Sequence, residues 1–360
     1  MKIAVLGGGN GAYAAAADLA LHGHEVSLWR RDAQALAVLG DPPAIQLLDH
    51  DGERAVSLVM ASGDIDKVVT DAQLVVFPGP AFAQIAVANA LATSLRDGQV
   101  VFLPPGTFGS YVMLHALRAA GCRADVTFAE TGTLPYLARK RGTDRIAITR
   151  RATRLPTGMF PRRNSARAHE IIAAAYPAIE PCEDALSGAL MNAGPIIHPP
   201  LITMNAGPIE HFEHWDIHNE GTQPSVRAVT NALDAERVAV REAAGYGPPH
   251  FPLADHYASD GDEWMYGRGA HAKLTDSGDW REALDLKAHR YMREDVALGL
   301  SFLVSVGAWA NVPTPVASGL LALGGAICGE DWPQEGRTLS ALGLAHLSIA
   351  QMDELMERGL

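Results

Sequence analysis

The stretch Lys2-Ile3-Ala4-Val5-Leu6-Gly7-Gly8-Gly9-Asn10-Gly11-Ala12 decides the fold of the N-terminal half. Lys2 to Leu6 has the apolar, β-branched pattern of a strand, and the Ala-rich residues 12 to 22 are typical of a helix. The residues between them fit G-x-G-x-x-A, a motif that becomes informative when it follows a strand and opens a helix. A strand, a glycine turn and a helix in this order predict the first βαβ unit of a dinucleotide-binding domain.

Each residue of the turn has a physical task in that prediction. Gly7 permits the tight turn, Gly9 lets the backbone approach a pyrophosphate, and Ala12 allows close packing of helix on strand. Asn10 and Gly11 open the helix, whose free N–H groups face an anion. We therefore predict cofactor contacts from Gly7, Gly9, Asn10, Gly11 and Ala12. A glycine-rich turn that binds nothing is the alternative.

The remaining chain shows two kinds of sequence pattern. Short apolar runs bounded by Gly, Pro or Asp follow in the first half, and they predict strands at 25–29, 74–77, 100–103 and 126–129. After about residue 185 helical periodicity dominates, at 224–244, 287–300 and 339–358. The pattern predicts an α/β protein in two domains: a Rossmann-type doubly wound parallel sheet over 1–185 and a mostly α-helical substrate domain over 186–360.

Composition excludes several classes of function. The 360 residues carry a net charge of −12, which disfavours electrostatic binding of nucleic acid or of an anionic membrane. No apolar run reaches the roughly 20 residues of a membrane span, and the N-terminus lacks a secretory signal pattern. Cys122, Cys182 and Cys328 have no metal or redox spacing, so we expect free thiols, no metal site and a cytoplasmic protein. A homodimer is compatible with the sequence, which does not fix the oligomeric state.

The end of the second predicted strand bears on cofactor choice. Dinucleotide folds that use NAD place an acidic residue there to accept a hydrogen bond from the ribose 2′-OH. This chain has Arg30 and Arg31, whose planar guanidinium groups suit the 2′-phosphate of NADP. NADP(H) is therefore the predicted cofactor, while Asp32 keeps NAD(H) as the alternative.

Loops at the carboxyl ends of later strands complete the predicted crevice. Pro78 and Gly79 follow the strand that ends at Phe77, and we assign them to the cofactor site. Thr107 follows Pro105-Gly106 after the next strand and is a candidate for substrate contact. Ordinary strand-ending turns are the alternative for both loops.

One of the histidines in the helical half, His198, is the candidate proton carrier. His198 lies in the apolar segment Met191 to Pro200, and an imidazole with a pKa near neutrality suits a reaction at a carbonyl or imine carbon. It needs an orienting carboxylate, and the segment Arg290-Tyr291-Met292-Arg293-Glu294-Asp295 joins carboxylates to an Arg that could hold a substrate acid. A structural histidine, and an Arg290–Asp295 pair on a helix surface, are the alternatives.

Basic residues crowd the segment Arg139 to Arg163. They could bind a phosphate-rich partner, but interleaved aromatic residues are lacking and the protein as a whole is acidic. We interpret the segment as a solvated face of strands and loops.

Motifs in order along the whole chain resemble the opine dehydrogenases, the group of octopine, nopaline and N-(1-carboxyethyl)norvaline dehydrogenases. Beyond the glycine turn they comprise Asn192 with His198-Pro199, Pro224-Ser225-Val226, Asp234-Ala235-Glu236-Arg237, Arg290-Tyr291 with Glu294-Asp295, Asn311-Val312-Pro313-Thr314-Pro315, and Gly336-Arg337-Thr338-Leu339 with Leu342-Gly343-Leu344.

The resemblance implies an oxidoreductase that condenses an L-amino acid with a 2-oxo acid, reduces the imine with NAD(P)H, and runs the reverse oxidation. In this chain His198 matches the family's catalytic His, Asp295 its paired carboxylate, and Arg290 the Arg that binds a substrate carboxylate. Asn192 helps to hold a substrate. Arg30 and Thr107 depart from the residues of some relatives. Two other hypotheses remain: a 2-oxo or 2-hydroxy acid reductase like ketopantoate reductase, and a nucleotide-sensing Rossmann protein without chemistry.

Overall fold

A computed structural model describes residues 1–254, 265–267 and 281–360. The chain forms two compact units. The first comprises Met1–Ala189 with Leu355–Leu360, and the second comprises Leu190–Glu354. The sequence places the boundary after residue 185 and assigns the last six residues to the second domain.

The first unit is built on an eight-stranded sheet of order β12-β11-β8-β7-β6-β1-β2-β5. The run from β5 to β8 is parallel, β11 is antiparallel to β8, and β12 is parallel to β11. The strands are β1 (Lys2–Leu6), β2 (Glu25–Trp29), β5 (Met60–Ser62), β6 (Leu74–Val76), β7 (Val100–Leu103), β8 (Thr127–Thr131), β11 (Leu155–Phe160) and β12 (Ile179–Pro181). The order from β5 to β8 is that of a doubly wound dinucleotide fold.

A second sheet of four strands belongs to the same unit and has the order β4-β3-β10-β9. Its strands are β3 (Ala44–Asp49), β4 (Gly52–Ser57), β9 (Tyr136–Lys140) and β10 (Arg145–Arg151). The helices of the unit are α1 (Asn10–Leu21), α2 (Ala33–Ala37), α3 (Ile65–Val69), α4 (Gln84–Leu91), α5 (Gly109–Ala119), α6 (Ser165–Ala173) and α7 (Ala185–Leu190). Short 3₁₀ turns cover Ala81–Ala83 and Arg162–Asn164.

Burial explains why these segments form strands and a helix. Three central strands, β1, β6 and β7, bury an unbroken apolar run, as parallel strands covered on both faces do. Helix α1 buries every residue from Ala12 to Leu19, and five of these eight are Ala, whose small side chains allow a close approach to the sheet. The glycine turn is thereby fixed at the carboxyl end of β1.

The second unit is mostly helical, and the predicted fold class is confirmed. Its elements are α8 (Gly194–Met204), α9 (Ala206–His211), β13 (Trp215–Asp216), α10 (Pro224–Ala243), β14 (Arg281–Glu282), a π-helix (Tyr291–Leu300), α11 (Ser301–Trp309), α12 (Pro315–Cys328), α13 (Trp332–Glu335) and α14 (Ile349–Arg358). None of the helices in the described part of the chain is long and apolar enough to cross a membrane.

Two predicted helices differ from the structure. The segment 287–300 becomes a π-helix at Tyr291, and no periodicity argument distinguishes this from an α-helix over so short a run. The predicted helix 339–358 is wrong in its first half, where the chain forms turns and helix α14 begins only at Ile349. Gly343 there has φ +73°, and the N–H of Leu344 donates to the Leu339 carbonyl, so the turn closes before a helix can propagate.

Contacts inside the second unit bring two distant segments together. The π-helix packs directly on α8, and a Cβ at Gly299 would lie 2.4 Å from the Pro195 ring, so only glycine permits this approach. His198 on α8 and Asp295 on the π-helix are therefore held by the fold of this unit.

Another of the motifs has a structural role. The Glu236 carboxylate accepts the N–H groups of Val316 (2.7 Å) and Ala317 (2.9 Å) and caps α12.

Candidate active site

The glycine turn has the geometry that the sequence predicts for a pyrophosphate cradle. Gly7 has φ +122°, where residues with a side chain are strained, and its N–H donates to the Trp29 carbonyl. Gly9 precedes α1, no side chain caps this helix end, and a Cβ at Gly9 would meet no atom within 4 Å. The space beside Gly9 is open and lies at the start of α1, where the first N–H groups of the helix are.

Two predicted neighbours lie at this turn. A Cβ at Gly11 would approach Pro78 to 3.0 Å, so the loop after β6 packs on the start of α1. Gly79 folds back on Phe77, whose ring would clash with any Cβ there. Ala12 is buried and lies 3.5 Å from where a Gly7 Cβ would stand. The structure thus brings Gly7, Gly11, Ala12 and Pro78 together.

Arg30 lies over the turn as well. Its guanidinium donates to the Tyr13 hydroxyl (2.8 Å) and to the Asp32 carboxylate (3.1 Å), and its side chain passes within 3 Å of where a Gly8 Cβ would lie. Asp32 also caps α2 by accepting the Ala35 N–H, and this bond lowers the pKa of its carboxyl. Arg31 is exposed. A cation, rather than a lone acidic acceptor, therefore faces the turn.

Lys140 is a residue of this site that the sequence analysis missed. It ends β9, and its ammonium group lies 3.3 Å from the Gly8 carbonyl and 3.8 Å from the centre of the Tyr13 ring. Its backbone N–H donates to Oδ1 of Asn10. The interpretation of residues 139–163 as a solvated face is wrong at Lys140, because β9 pairs with β10 in a sheet whose edge reaches the turn.

The loop that carries Thr107 is anchored by a buried acid. Thr107 and Phe108 both have left-handed backbone conformations, with φ +54° and +61°, which is strained for residues with side chains. The Glu130 carboxylate, fully buried, accepts the N–H groups of Phe108 (2.7 Å) and Ser110 (3.0 Å). Thr107 itself is 3% exposed, and its contact with substrate stays a prediction.

His198 and Asp295, 97 residues apart in sequence, form a hydrogen-bonded pair in the second unit. Nδ1 of His198 lies 2.7 Å from Oδ2 of Asp295, and the two side chains are 14% and 8% exposed. The Nε2 atom of His198 bonds to no residue that the structure describes. One ring nitrogen is thus oriented by a carboxylate, which leaves the other for a reacting group.

Burial sets the protonation of this pair. Burial lowers the pKa of His198 well below its usual range, and the positive charges of Arg290 and His289 add to the effect. Burial also raises the pKa of Asp295 to about 7, against the opposing effect of the same two neighbours. The pair therefore titrates near neutrality: with a proton bound it presents an Nε2–H donor, and without it an Nε2 lone pair.

An aromatic residue that the sequence analysis quoted without a role fixes the imidazole. The Tyr291 ring stacks on His198 with 3.6 Å between ring centres and 8° between the planes. Its hydroxyl lies 3.0 Å from Nε2 of His218, and its backbone N–H donates to His289. Tyr291 was identifiable only by its adjacency to Arg290, because a tyrosine in a helical pattern is ordinarily core.

Arg290 and Asn192 both lie beside the pair. Arg290 directly precedes the π-helix, is exposed, and lies over the edge of the Tyr291 ring. Asn192 accepts the Gly194 N–H, and a Cβ at Gly194 would lie 2.5 Å from the Asp295 carboxylate. The alternative of an Arg290–Asp295 surface pair fails, since Asp295 is buried and faces His198.

Comparison with known proteins confirms the resemblance deduced from the motifs. Residues 181–328 match the model of the NAD/NADP octopine/nopaline dehydrogenase family, alpha-helical domain. An opine dehydrogenase from Arthrobacter sp. (strain 1C) is 28% identical over 365 residues, which cover 98% of each chain.

Solved structures of such enzymes share the fold. An octopine dehydrogenase with NADH and pyruvate superposes with a TM-score of 0.70 and 18% identity, covering 98% of each chain. A yersinopine dehydrogenase with NADP⁺ gives 0.68 and 17%, covering 99% of this chain and 98% of that one. The Rossmann domain followed by a helical domain is the architecture of both.

Proposed function

We propose that this chain is an opine dehydrogenase, an NAD(P)-dependent oxidoreductase that acts on CH–NH bonds. It joins an L-amino acid to a 2-oxo acid such as pyruvate and reduces the resulting imine to an N-(1-carboxyalkyl) amino acid. The observation that carries the proposal is the buried His198–Asp295 pair at 2.7 Å, with Arg290 five residues before Asp295. The similarity to the Arthrobacter opine dehydrogenase over nearly the whole chain supports it.

Arg290 holds a substrate carboxylate in this mechanism. Arg290 is an exposed residue, and its guanidinium offers planar N–H groups that match a carboxylate in two parallel hydrogen bonds. Both substrates and the product carry carboxylates, so one such group positions the reacting carbon. Asn192 and Thr107 are the further residues that we assign to substrate binding.

His198 moves the proton that accompanies imine formation and cleavage. When the amine adds to the carbonyl carbon, the oxygen must leave as water, and an Nε2–H donor supplies the proton for it. In the reverse direction the Nε2 lone pair takes a proton from the water that attacks the imine. Asp295 holds the ring orientation and stabilises the protonated state, as a carboxylate does beside a catalytic imidazole.

The first unit binds the nicotinamide cofactor, which when bound supplies the hydride for the imine carbon. The residues fit such a group, because Gly9 leaves open space at an uncapped helix N-terminus. Arg30 beside Gly8 supports a preference for NADPH over NADH. The cofactor contacts that we assign are Gly7, Gly9, Asn10, Gly11, Ala12, Arg30, Arg31, Pro78 and Gly79.

We also propose a cytoplasmic location; a homodimer is compatible with the sequence, and the oligomeric state is open to measurement. All three cysteines, Cys122, Cys182 and Cys328, are free thiols, which agrees with a reducing compartment. Gel filtration with light scattering tests the oligomeric state, and a mass of 38.2 kDa in solution would contradict the dimer.

The test is an assay of NADPH oxidation with pyruvate, run with and without each amino acid, and repeated with NADH. Oxidation that requires both substrates, with a secondary amine dicarboxylate identified by mass spectrometry, is the expected result. Oxidation with the oxo acid alone would instead indicate a ketopantoate-reductase-like enzyme. Cofactor binding without turnover on any pair would indicate a nucleotide sensor.

A further inference from the structure

Three side chains of the first unit meet beside Gly8, in the middle of the glycine turn. Arg30 comes from the end of β2, Tyr13 from the first turn of α1, and Lys140 from the end of β9. The Lys140 ammonium group lies 3.3 Å from the Gly8 oxygen, and the Arg30 side chain passes within 3 Å of a Gly8 Cβ position. Two cations therefore share one small region of the turn.

Tyr13 contacts both cations, one through its hydroxyl and the other through its ring. Its hydroxyl accepts a hydrogen bond from Arg30 at 2.8 Å, and its ring face lies 3.8 Å from the Lys140 ammonium group. Both interactions keep a cation in place without neutralising it. Asp32 pairs with Arg30, but its side chain is 52% exposed, so solvent screens this pair.

The pKa of Lys140 reflects the same crowding of positive charge. Burial, and then the nearby charge of Arg30, lower the pKa of the Lys140 ammonium group. Asp32 and Asp144 oppose that effect and do not cancel it. An anion bound between Arg30 and Lys140 would offset this repulsion and raise the pKa of Lys140.

The chemistry of the region selects a phosphate monoester. One donor of the Lys140 ammonium group is directed to Gly8, and the group also lies over the Tyr13 ring; its remaining donor capacity can serve an anion. A neutral ribose hydroxyl needs an acceptor at this place, whereas a phosphate dianion needs donors and positive charge. Arg30 supplies a planar set of N–H donors, and Lys140 supplies a compact positive charge with N–H donors.

We propose that Lys140 is a specificity-determining residue, which together with Arg30 binds the 2′-phosphate of NADPH. The inference rests on the proposed use of NADP(H) and adds to it a residue from a different sheet, 110 positions along the chain from Arg30. The 2′-phosphate is then recognised from two places in the fold, the loop after β2 and the end of β9, instead of from the loop after β2 alone.

The test measures binding of two cofactor fragments by calorimetry, without turnover. The probes are 2′,5′-ADP, which carries a 2′- and a 5′-phosphate, and 5′-AMP, which is the same fragment without the 2′-phosphate. The Lys140→Met protein should bind 2′,5′-ADP about 10- to 100-fold more weakly than the wild type, the value of one charge-assisted hydrogen bond. Its affinity for 5′-AMP should stay within about twofold.

Two further variants make the test specific. Arg150→Met removes a positive charge from an exposed position on β10, the strand paired with β9, and should leave both affinities near wild type. Lys140→Arg should recover part of the 2′,5′-ADP affinity. The Lys140 backbone keeps its contact with Asn10 in both Lys140 variants, and circular dichroism checks that each variant is folded.

Each outcome bears on a different claim. Equal losses for both fragments in Lys140→Met would place the lysine at the shared 5′-phosphate and overturn the proposal, as would no loss for either. A wild type that binds 5′-AMP as tightly as 2′,5′-ADP would overturn the NADPH preference itself. The opine dehydrogenase activity would stand in all these cases, since it is measured by product formation with either cofactor.

Discussion

The glycine turn and the His198–Asp295 pair place functional groups by opposite means. In the turn, Gly7, Gly9 and Gly11 lie within five residues, and their backbone alone creates the open helix end. In the pair, two side chains from α8 and the π-helix meet across 97 residues, and packing between the helices sets their distance. The proposed pyrophosphate cradle is thus a local property of the chain, whereas the geometry of the proposed proton carrier depends on tertiary structure.

The comparison leads to a separation of effects. Changes in the turn should affect cofactor affinity while the proton chemistry survives, and changes at the pair should do the reverse. Substitutions that touch neither region but support the second unit should lower stability alone. Four experiments test these expectations.

The largest effect is expected from His198→Asn. Removal of the imidazole should lower kcat by about 10²- to 10⁴-fold, the usual contribution of general acid–base catalysis. The affinity for NADPH, measured by fluorescence titration, should stay within about twofold, because the first unit is unchanged. His211→Asn, at an exposed position that ends α9, is the matched control and should retain turnover. Wild-type turnover in His198→Asn at saturating substrates would remove the central claim.

The converse experiment is Gly9→Val. The Gly9 backbone is extended, and a Cβ there meets no protein atom, so the folded state should tolerate valine. The side chain fills the space that a pyrophosphate needs, and we expect a loss of cofactor affinity of about 10- to 100-fold, the range of an overpacked site. Gly319→Val, at another exposed glycine whose Cβ would meet nothing, controls for the substitution itself. Unchanged NADPH affinity in Gly9→Val would show that the turn is not the cradle.

A pH profile examines the pair alone. Reduction needs the protonated pair, so kcat/KM for opine synthesis should fall about tenfold per pH unit above 7, where Asp295 has lost its proton. Oxidation needs the unprotonated pair, and its kcat/KM should rise over the same range. In Asp295→Asn the inflection near 7 should vanish, because only His198 remains and its pKa lies well below the usual range. An unaltered inflection in that variant would assign the titration to another group.

The smallest effect is expected from Glu236→Ala, which affects neither region. Loss of the cap on α12 should lower the free energy of unfolding by about 1–3 kcal/mol, because two N–H groups lose a charged acceptor. Thermal and urea denaturation measure this change, and NADPH affinity should be unaffected. Glu210→Ala, at an exposed position, should change stability by less than about 0.5 kcal/mol. A loss of turnover without a loss of stability in Glu236→Ala would mean that this motif acts in the chemistry.

Local patterns predicted most of the first unit. The strands at Lys2–Leu6, Glu25–Trp29 and Val100–Leu103 have the predicted bounds, because each is a short apolar run ended by residues that stop a strand. The helix from Pro224 likewise ends within one residue of its prediction. Contact between distant strands has no such local signal, and Lys140 was therefore placed on a solvated face instead of at the glycine turn.

The partner of His198 was assigned through the family resemblance. Spacing alone leaves many carboxylates as partners for His198, although the segment that joins Arg290 to Asp295 stands out, and the five-residue offset of these two residues is a poor match to a pair on a helix surface. Tyr291 shows the same limit, since its stacking on His198 depends on the rotation of the π-helix. Residues that act through tertiary packing leave no pattern in the local sequence, whereas residues that act through a turn leave a short motif.

The π-helix has a consequence for how this protein can change in evolution. Its hydrogen bonds join residues five apart, so Arg290 and Asp295 lie about one turn apart on the same side. Loss of a single codon between them would return the segment to α-helical pitch, in which residues four apart again lie about one turn apart, so Arg290 and Asp295 would keep their relative position. Restoring α-helical pitch without that deletion would place them about 500° apart around the helix axis, on different sides of the helix. The length and the pitch of this segment must therefore change together in evolution, because a change in one alone separates the proposed carboxylate clamp from the proposed proton carrier.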